Sequence, residues 1–106
     1  MRILLDEGVP DIIKKRLDTL SISTVKEMGW RGIKNGALLD LMAGEFQIIV
    51  TTDKNLRFQQ NLIKRKICAV ILPSNRIRIV IELLPKIEAA LAAITPGNFI
   101  ELTMKD

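Results

Sequence analysis

Three short runs of consecutive apolar residues constrain this chain most. They are Ile3-Leu4-Leu5, Ile48-Ile49-Val50 and the stretch Lys66–Pro73, which reads KICAVILP. An uninterrupted aliphatic run is the pattern of a strand covered on both faces, whereas a half-exposed strand alternates. Such strands need helices above and below them, and the intervening segments have helical spacing. Strands alternating with helices imply a parallel sheet with right-handed crossovers and helices on both faces.

Taken in order, the strands are expected at Arg2–Leu5, weakly at Ser21–Val25, at Gln47–Thr52, at Lys66–Pro73 and, as an edge strand, at Asn98–Thr103. Lys66–Pro73 is the best candidate for the central strand. The first helix is expected from Pro10 to about Leu20, burying Val9, Ile13, Leu17 and Leu20. Glu27–Lys34 reads as a loop with Gly29, Trp30 and Gly32. The second helix runs from Asn35 to about Glu45, with Leu38, Leu39, Leu41 and Met42 as its apolar stripe. On that helix Asp40 faces water and Asn35 lies nearer the sheet. Leu56–Lys64 reads as a short helix or helical turn. Arg76–Glu82 alternates like a strand, but its continuation through Leu83, Leu84, Ile87, Leu91 and Ile94 is helical. A long helix, interrupted or kinked at Pro85, is favoured.

With 106 residues, 48% hydrophobic and 26% charged, the chain suits a single globular domain over 1–106. No apolar run is long enough to span a membrane. Met1–Leu5 meets Asp6 too soon for a signal peptide. One cysteine, Cys68, excludes an intrachain disulfide and fits a reduced, cytoplasmic setting. Cys68 and Trp30 read as core residues.

The chemistry open to the chain is narrow. It has no histidine, so imidazole bases and Ser-His or Cys-His pairs are excluded. No Gly-rich phosphate loop occurs, and a single thiol makes a zinc site improbable. Carboxylates remain. Asp6 and Glu7 follow the first strand, and Asp53 follows the third. In open parallel sheets ligands sit beyond the carboxyl ends of the strands, so these acids emerge on one edge. Closely spaced carboxylates repel unless a hard cation such as Mg²⁺ or Mn²⁺ lies between them, and such a site suits phosphodiester hydrolysis. The alternative for each acid is to cap a helix or order a turn, and for Glu7 that is the stronger expectation.

Basic residues surround these acids in sequence. Arg31 and Lys34 precede the second helix, and Lys54 and Arg57 follow Asp53. Seven of the 16 basic residues fall in Lys54–Ile81, where no acid occurs, leaving nine against 12 acids elsewhere. Lys64 and Arg65 belong to this block, which suits a polyanion such as RNA. Gln59, Gln60 and Asn61 could touch phosphate or base, but polar residues on an exposed helix are commonplace.

LLDEGVP at Leu4–Pro10, the Gly29–Gly32 loop with its following helix, and VTTDKNL at Val50–Leu56 together resemble the small PIN-like domains. These are related to PIN-domain ribonucleases, including VapC-like toxins. The resemblance implies a Rossmann-like three-layer α/β/α sandwich with a mainly parallel central sheet. It also implies a Mg²⁺- or Mn²⁺-dependent ribonuclease whose metal ligands map to Asp6 and Asp53, with Glu7 matching the acid that often follows the first. Asn35 and Asn55 stand where relatives carry acids; an amide oxygen ligates a hard cation without adding charge. A toxin role would bring an antitoxin protein as partner. Two other functions fit the same residues. One is an inactive PIN-like module binding RNA or a protein. The other is an oligomeric scaffold, such as a homodimer, pairing the apolar surface of Ile77–Ile94.

Overall fold

A computed structural model describes residues 1–58 and 62–104. The apolar runs become the interior of one five-stranded sheet, all of it parallel. Its strands are β1 (Arg2–Leu5), β2 (Ser21–Thr24), β3 (Ile48–Thr51), β4 (Cys68–Ile71) and β5 (Phe99–Glu101), in the order β2-β1-β3-β4-β5. Every residue of β3 and β4 is buried, as uninterrupted runs require. β3, rather than the more apolar β4, occupies the middle, although β4 is paired on both sides. The weak sequence signals belong to the two edges, β2 and β5, which are exposed on one side.

Side chains alternate between two apolar layers. Ile3, Leu5, Ile48, Val50, Cys68 and Val70 point to the face covered by α1 (Ile12–Arg16) and α5 (Ile77–Ala93). Leu4, Ile49, Ala69 and Ile71 point to the other face. That face is covered by α2 (Val25–Met28), α3 (Asn35–Met42), a 3₁₀ helix at Lys54–Phe58 and α4 (Leu62–Arg65). The result is a three-layer α/β/α architecture. Each fully buried aliphatic side chain contributes about 1.5–3 kcal/mol relative to exposure, so the two layers supply most of the favourable term. Trp30 packs edge-on against Phe46, with ring centroids 5.9 Å apart, and seals the second layer. No helix among the described residues is long and apolar enough to cross a membrane.

Several boundaries differ from the sequence expectation. α1 stops at Arg16, with Leu17 leaving helical geometry at φ −107° and ψ 52°. Asp18 and Thr19, both poor helix formers, follow it, yet Leu17 is buried as expected and Leu20 packs against the core. α2 replaces part of the expected loop. Its capping box has Thr24 accepting from Glu27 N–H while the Glu27 carboxylate accepts from Thr24 N–H. Gly29, at φ 74°, ends it in the left-handed region. α5 takes the helical alternative for Ile77–Glu82 and continues through Pro85, which lies on its exposed side. Val80, Leu83, Leu84, Ile87, Ala90, Leu91 and Ile94 are buried within the chain. The apolar surface that an oligomeric scaffold would use is thus consumed internally, except for Ile77 and Ile81.

One topological expectation is overturned: the crossovers cannot all share one hand. The steps β3→β4 and β4→β5 move in the same direction across the sheet, but their connections pass over opposite faces. The β4–α5–β5 connection is therefore opposite in hand to the other three.

Two predictions follow from these elements. Pro85 cannot donate to the Ile81 carbonyl, so Pro85→Ala should raise stability by about 2 kcal/mol, read from the urea midpoint. Glu27 has its pKa lowered from 4.5, first by the hydrogen bond from Lys14 and then by that from Thr24 N–H. A lowered carboxylate pKa stabilises the fold above the unfolded value and loses that contribution as pH falls through the folded value. Glu27→Gln keeps the capping geometry but not the charge. Its thermal midpoint should lie slightly below wild type at neutral pH and converge with it in acid.

Candidate active-site cleft

The strand order reverses direction between β1 and β3, because β1 connects to β2 on one side and β3 to β4 on the other. A crevice forms at such a switch point, beyond the strand ends. Leu5 pairs with Val50, and Asp6 N–H extends that ladder to Val50 C=O at 2.9 Å. Asp6 is thereby level with Thr51, two residues before Asp53. Asp6, Glu7, Lys34, Thr52 and Asp53 line a cleft of about 460 Å³, with Leu39 and Ile49 among its apolar residues.

Thr51 joins the two aspartates. Its side chain is fully buried; Oγ1 donates to Asp6 Oδ2 at 2.7 Å and accepts from Asp53 N–H at 3.0 Å. Asp6 Oδ1 accepts from Glu7 N–H at 2.8 Å, and Asp53 Oδ1 accepts from Asn55 N–H at 3.0 Å. The last bond, with Leu56 N–H on Asp53 C=O, starts the 3₁₀ helix. Asp53 thus orders its own turn and still faces the cleft. Sequence reasoning missed Thr51. The available signal was a hydroxyl closing an otherwise apolar, doubly covered strand, where it must find a partner.

The other candidates separate. Glu7 lines the cleft, but its Oε1 accepts from Gly32 N–H at 2.8 Å, which favours the turn-ordering expectation. Asn55 contributes its backbone N–H, while its side chain is exposed and outside the cleft lining. Asn35 opens α3 and Arg57 lies in the 3₁₀ helix. Lys34 is in the cleft wall, Lys54 is exposed directly after Asp53, and Arg31 lines a smaller adjoining cleft. Gln59, Gln60 and Asn61 lie outside the described residues. Trp30 serves the core, as expected.

The basic block is not one track. Ile48 pairs with Cys68, so the chain has returned to the amino-terminal edge of the sheet by α4. Lys64 and Arg65 accordingly sit away from the cleft. Arg65 donates through Nε and Nη2 to Asp40 Oδ1, tying α4 to α3. Arg76 and Arg78, at the start of α5 after β4, return to the carboxyl edge and are exposed.

Among the described residues no group of three or more His, Cys, Asp or Glu side chains is arranged to hold a metal ion. Three carboxylates line the cleft, and with Glu7 engaged by Gly32 N–H the remaining donor set is Asp6 and Asp53. Mg²⁺ commonly uses one or two protein carboxylates and completes its shell with water and substrate phosphate, so Asp6 and Asp53 fit that chemistry. No protein-family model, curated protein or solved structure matches the chain.

Thr51→Val should leave the Asp6 carboxylate and Asp53 N–H without their shared partner. The expected loss is about 1–3 kcal/mol in chemical denaturation, with Thr51→Ser retaining most of the stability.

Proposed function

We propose that the protein is a PIN-like, metal-dependent ribonuclease acting in the cleft between β1 and β3. The observation that carries this is the lining of one cleft by Asp6 and Asp53, delivered from separate strand ends at a switch point. When bound, Mg²⁺ or Mn²⁺ would supply charge to the phosphoryl oxygens and acidify a water. Asp6 and Asp53 would hold the cation, with Asp6 aimed by the Thr51 hydroxyl. Lys34 in the wall, with Lys54 and Arg31 nearby, would draw the phosphate backbone towards carboxylates that otherwise repel it. The positive end of α3, which begins next to Lys34, adds to that attraction. RNA is the proposed substrate and the cytoplasm the proposed setting. A toxin role would add an antitoxin protein as partner.

Two observations favour a non-cleaving version. Glu7 is bonded to Gly32, and Asn55 stands outside the cleft lining. In that version the domain binds RNA or a partner protein through the same surface without cutting.

The test is direct. Purified protein is expected to bind Mn²⁺ and to cleave RNA. Asp53→Asn should weaken Mn²⁺ binding about tenfold or more and abolish cleavage. Salt-sensitive RNA binding without cleavage would move the conclusion to the non-cleaving module. Neither metal binding nor cleavage across varied RNAs would sink the nuclease proposal.

A further inference from the structure

Two clefts meet at Asp6 and Glu7. The larger contains Lys34 and Asp53, and the smaller, about 160 Å³, contains Lys26 and Arg31. Arg31 and Lys34 belong to one loop, between the end of α2 at Met28 and the start of α3 at Asn35. Backbone bonds from Trp30 N–H to Val25 C=O and from Ile33 N–H to Trp30 C=O hold this loop to α2 and to itself. The bond from Gly32 N–H to Glu7 Oε1, 2.8 Å long, ties its middle to the end of β1. Gly32 adopts φ +83°, a left-handed conformation that suits glycine and turns its N–H out of any regular ladder. The bond needs only an acceptor oxygen at the end of a side chain of this length, which an amide supplies as well as a carboxylate. Glu7 is therefore better employed as a strut than as a third metal ligand.

We infer that Glu7 is a positioning residue that holds the 30–34 loop so that Arg31 stands in one cleft and Lys34 in the other. The two cations then flank Asp6, ready for neighbouring phosphates of one RNA strand. This rests on the nucleic-acid function proposed above. It differs from a ligand role in what it demands of Glu7: an acceptor oxygen, but no charge.

The experiment compares wild type, Glu7→Gln, Glu7→Ala and Asp53→Asn in three measurements. These are Mn²⁺ binding by calorimetry, binding of a fluorescent single-stranded RNA at low salt, and exchange of the Gly32 amide proton by NMR. Glu7→Gln keeps an acceptor and should match wild type within about twofold in Mn²⁺ and RNA binding, with Gly32 protection retained. Glu7→Ala should keep Mn²⁺ binding, lose Gly32 protection and weaken RNA binding by roughly tenfold. A loss of Mn²⁺ affinity in Glu7→Gln as large as that in Asp53→Asn would overturn the inference, making Glu7 a ligand. Unchanged RNA binding and Gly32 protection in Glu7→Ala would also overturn it. If Asp53→Asn binds Mn²⁺ like wild type, the metal site fails instead. If wild type binds no RNA, the positioning role falls with the function, and Gly32 exchange then reports only whether the strut exists.

Discussion

The site depends on one buried hydroxyl. Thr51 Oγ1 donates to Asp6 and accepts from the backbone N–H of Asp53, so a single atom sets both aspartates relative to each other. It can do so only because β1 and β3 are neighbours in a register that pairs Leu5 with Val50. A slip of one residue in a parallel pair would send Thr51 to the wrong face and separate the acids. That register is held by apolar burial: Leu5 and Val50 enter one layer, Leu4 and Ile49 the other. The hydrophobic pattern of two strands thus determines the geometry of a polar site that neither strand contains alone.

The unusual hand of the α5 connection has the same origin. α1 is only five residues long, about 7.5 Å of helix, too little to cover Ile48, Val50, Cys68 and Val70. Had α5 passed over the other face, already occupied by α2, α3, the 3₁₀ helix and α4, those side chains would meet water. α5 has 17 residues, about 25 Å, and closes the gap with Val80, Leu83, Leu84 and Ile87. Burial outweighs the general preference for right-handed crossovers. The same route brings Arg76 and Arg78 to the carboxyl edge of the sheet.

Much of this was legible in the residues, and the exceptions have physical causes. β1, β3 and β4 announce themselves because strands covered on both faces are continuously apolar. Asp6 and Asp53 stand out because they end such runs. α2 is hard to see in the sequence although Thr24 and Glu27 have capping-box spacing, because Thr24 also ends β2 and the helix has one turn. The role of Thr51 depends on which strand lies beside β3, a non-local fact that no spacing within the chain expresses. The basic block misled for a related reason. A parallel crossover carries consecutive residues from one edge of the sheet to the other, so Lys54 and Arg65, close in sequence, serve opposite ends.

Charge is sorted between those ends. Around the amino-terminal edge Arg2 pairs with Glu45, and Arg65 pairs with Asp40. Exposed pairs of this kind contribute about 0–1 kcal/mol each, so their greater consequence is for the field: they cancel one another. At the carboxyl edge no ion pair among the described residues involves Arg31, Lys34, Lys54, Arg76 or Arg78. Asp6 and Asp53 line the cleft beside Lys34, with Arg31 in the adjoining one. An approaching polyanion is therefore attracted at the rim and repelled at the centre unless a cation neutralises the carboxylates. Under the proposed function, metal and RNA each improve the site for the other, and linkage makes that coupling reciprocal. With only two carboxylates to hold the metal, the substrate phosphate becomes a substantial part of its coordination, and the coupling should be strong.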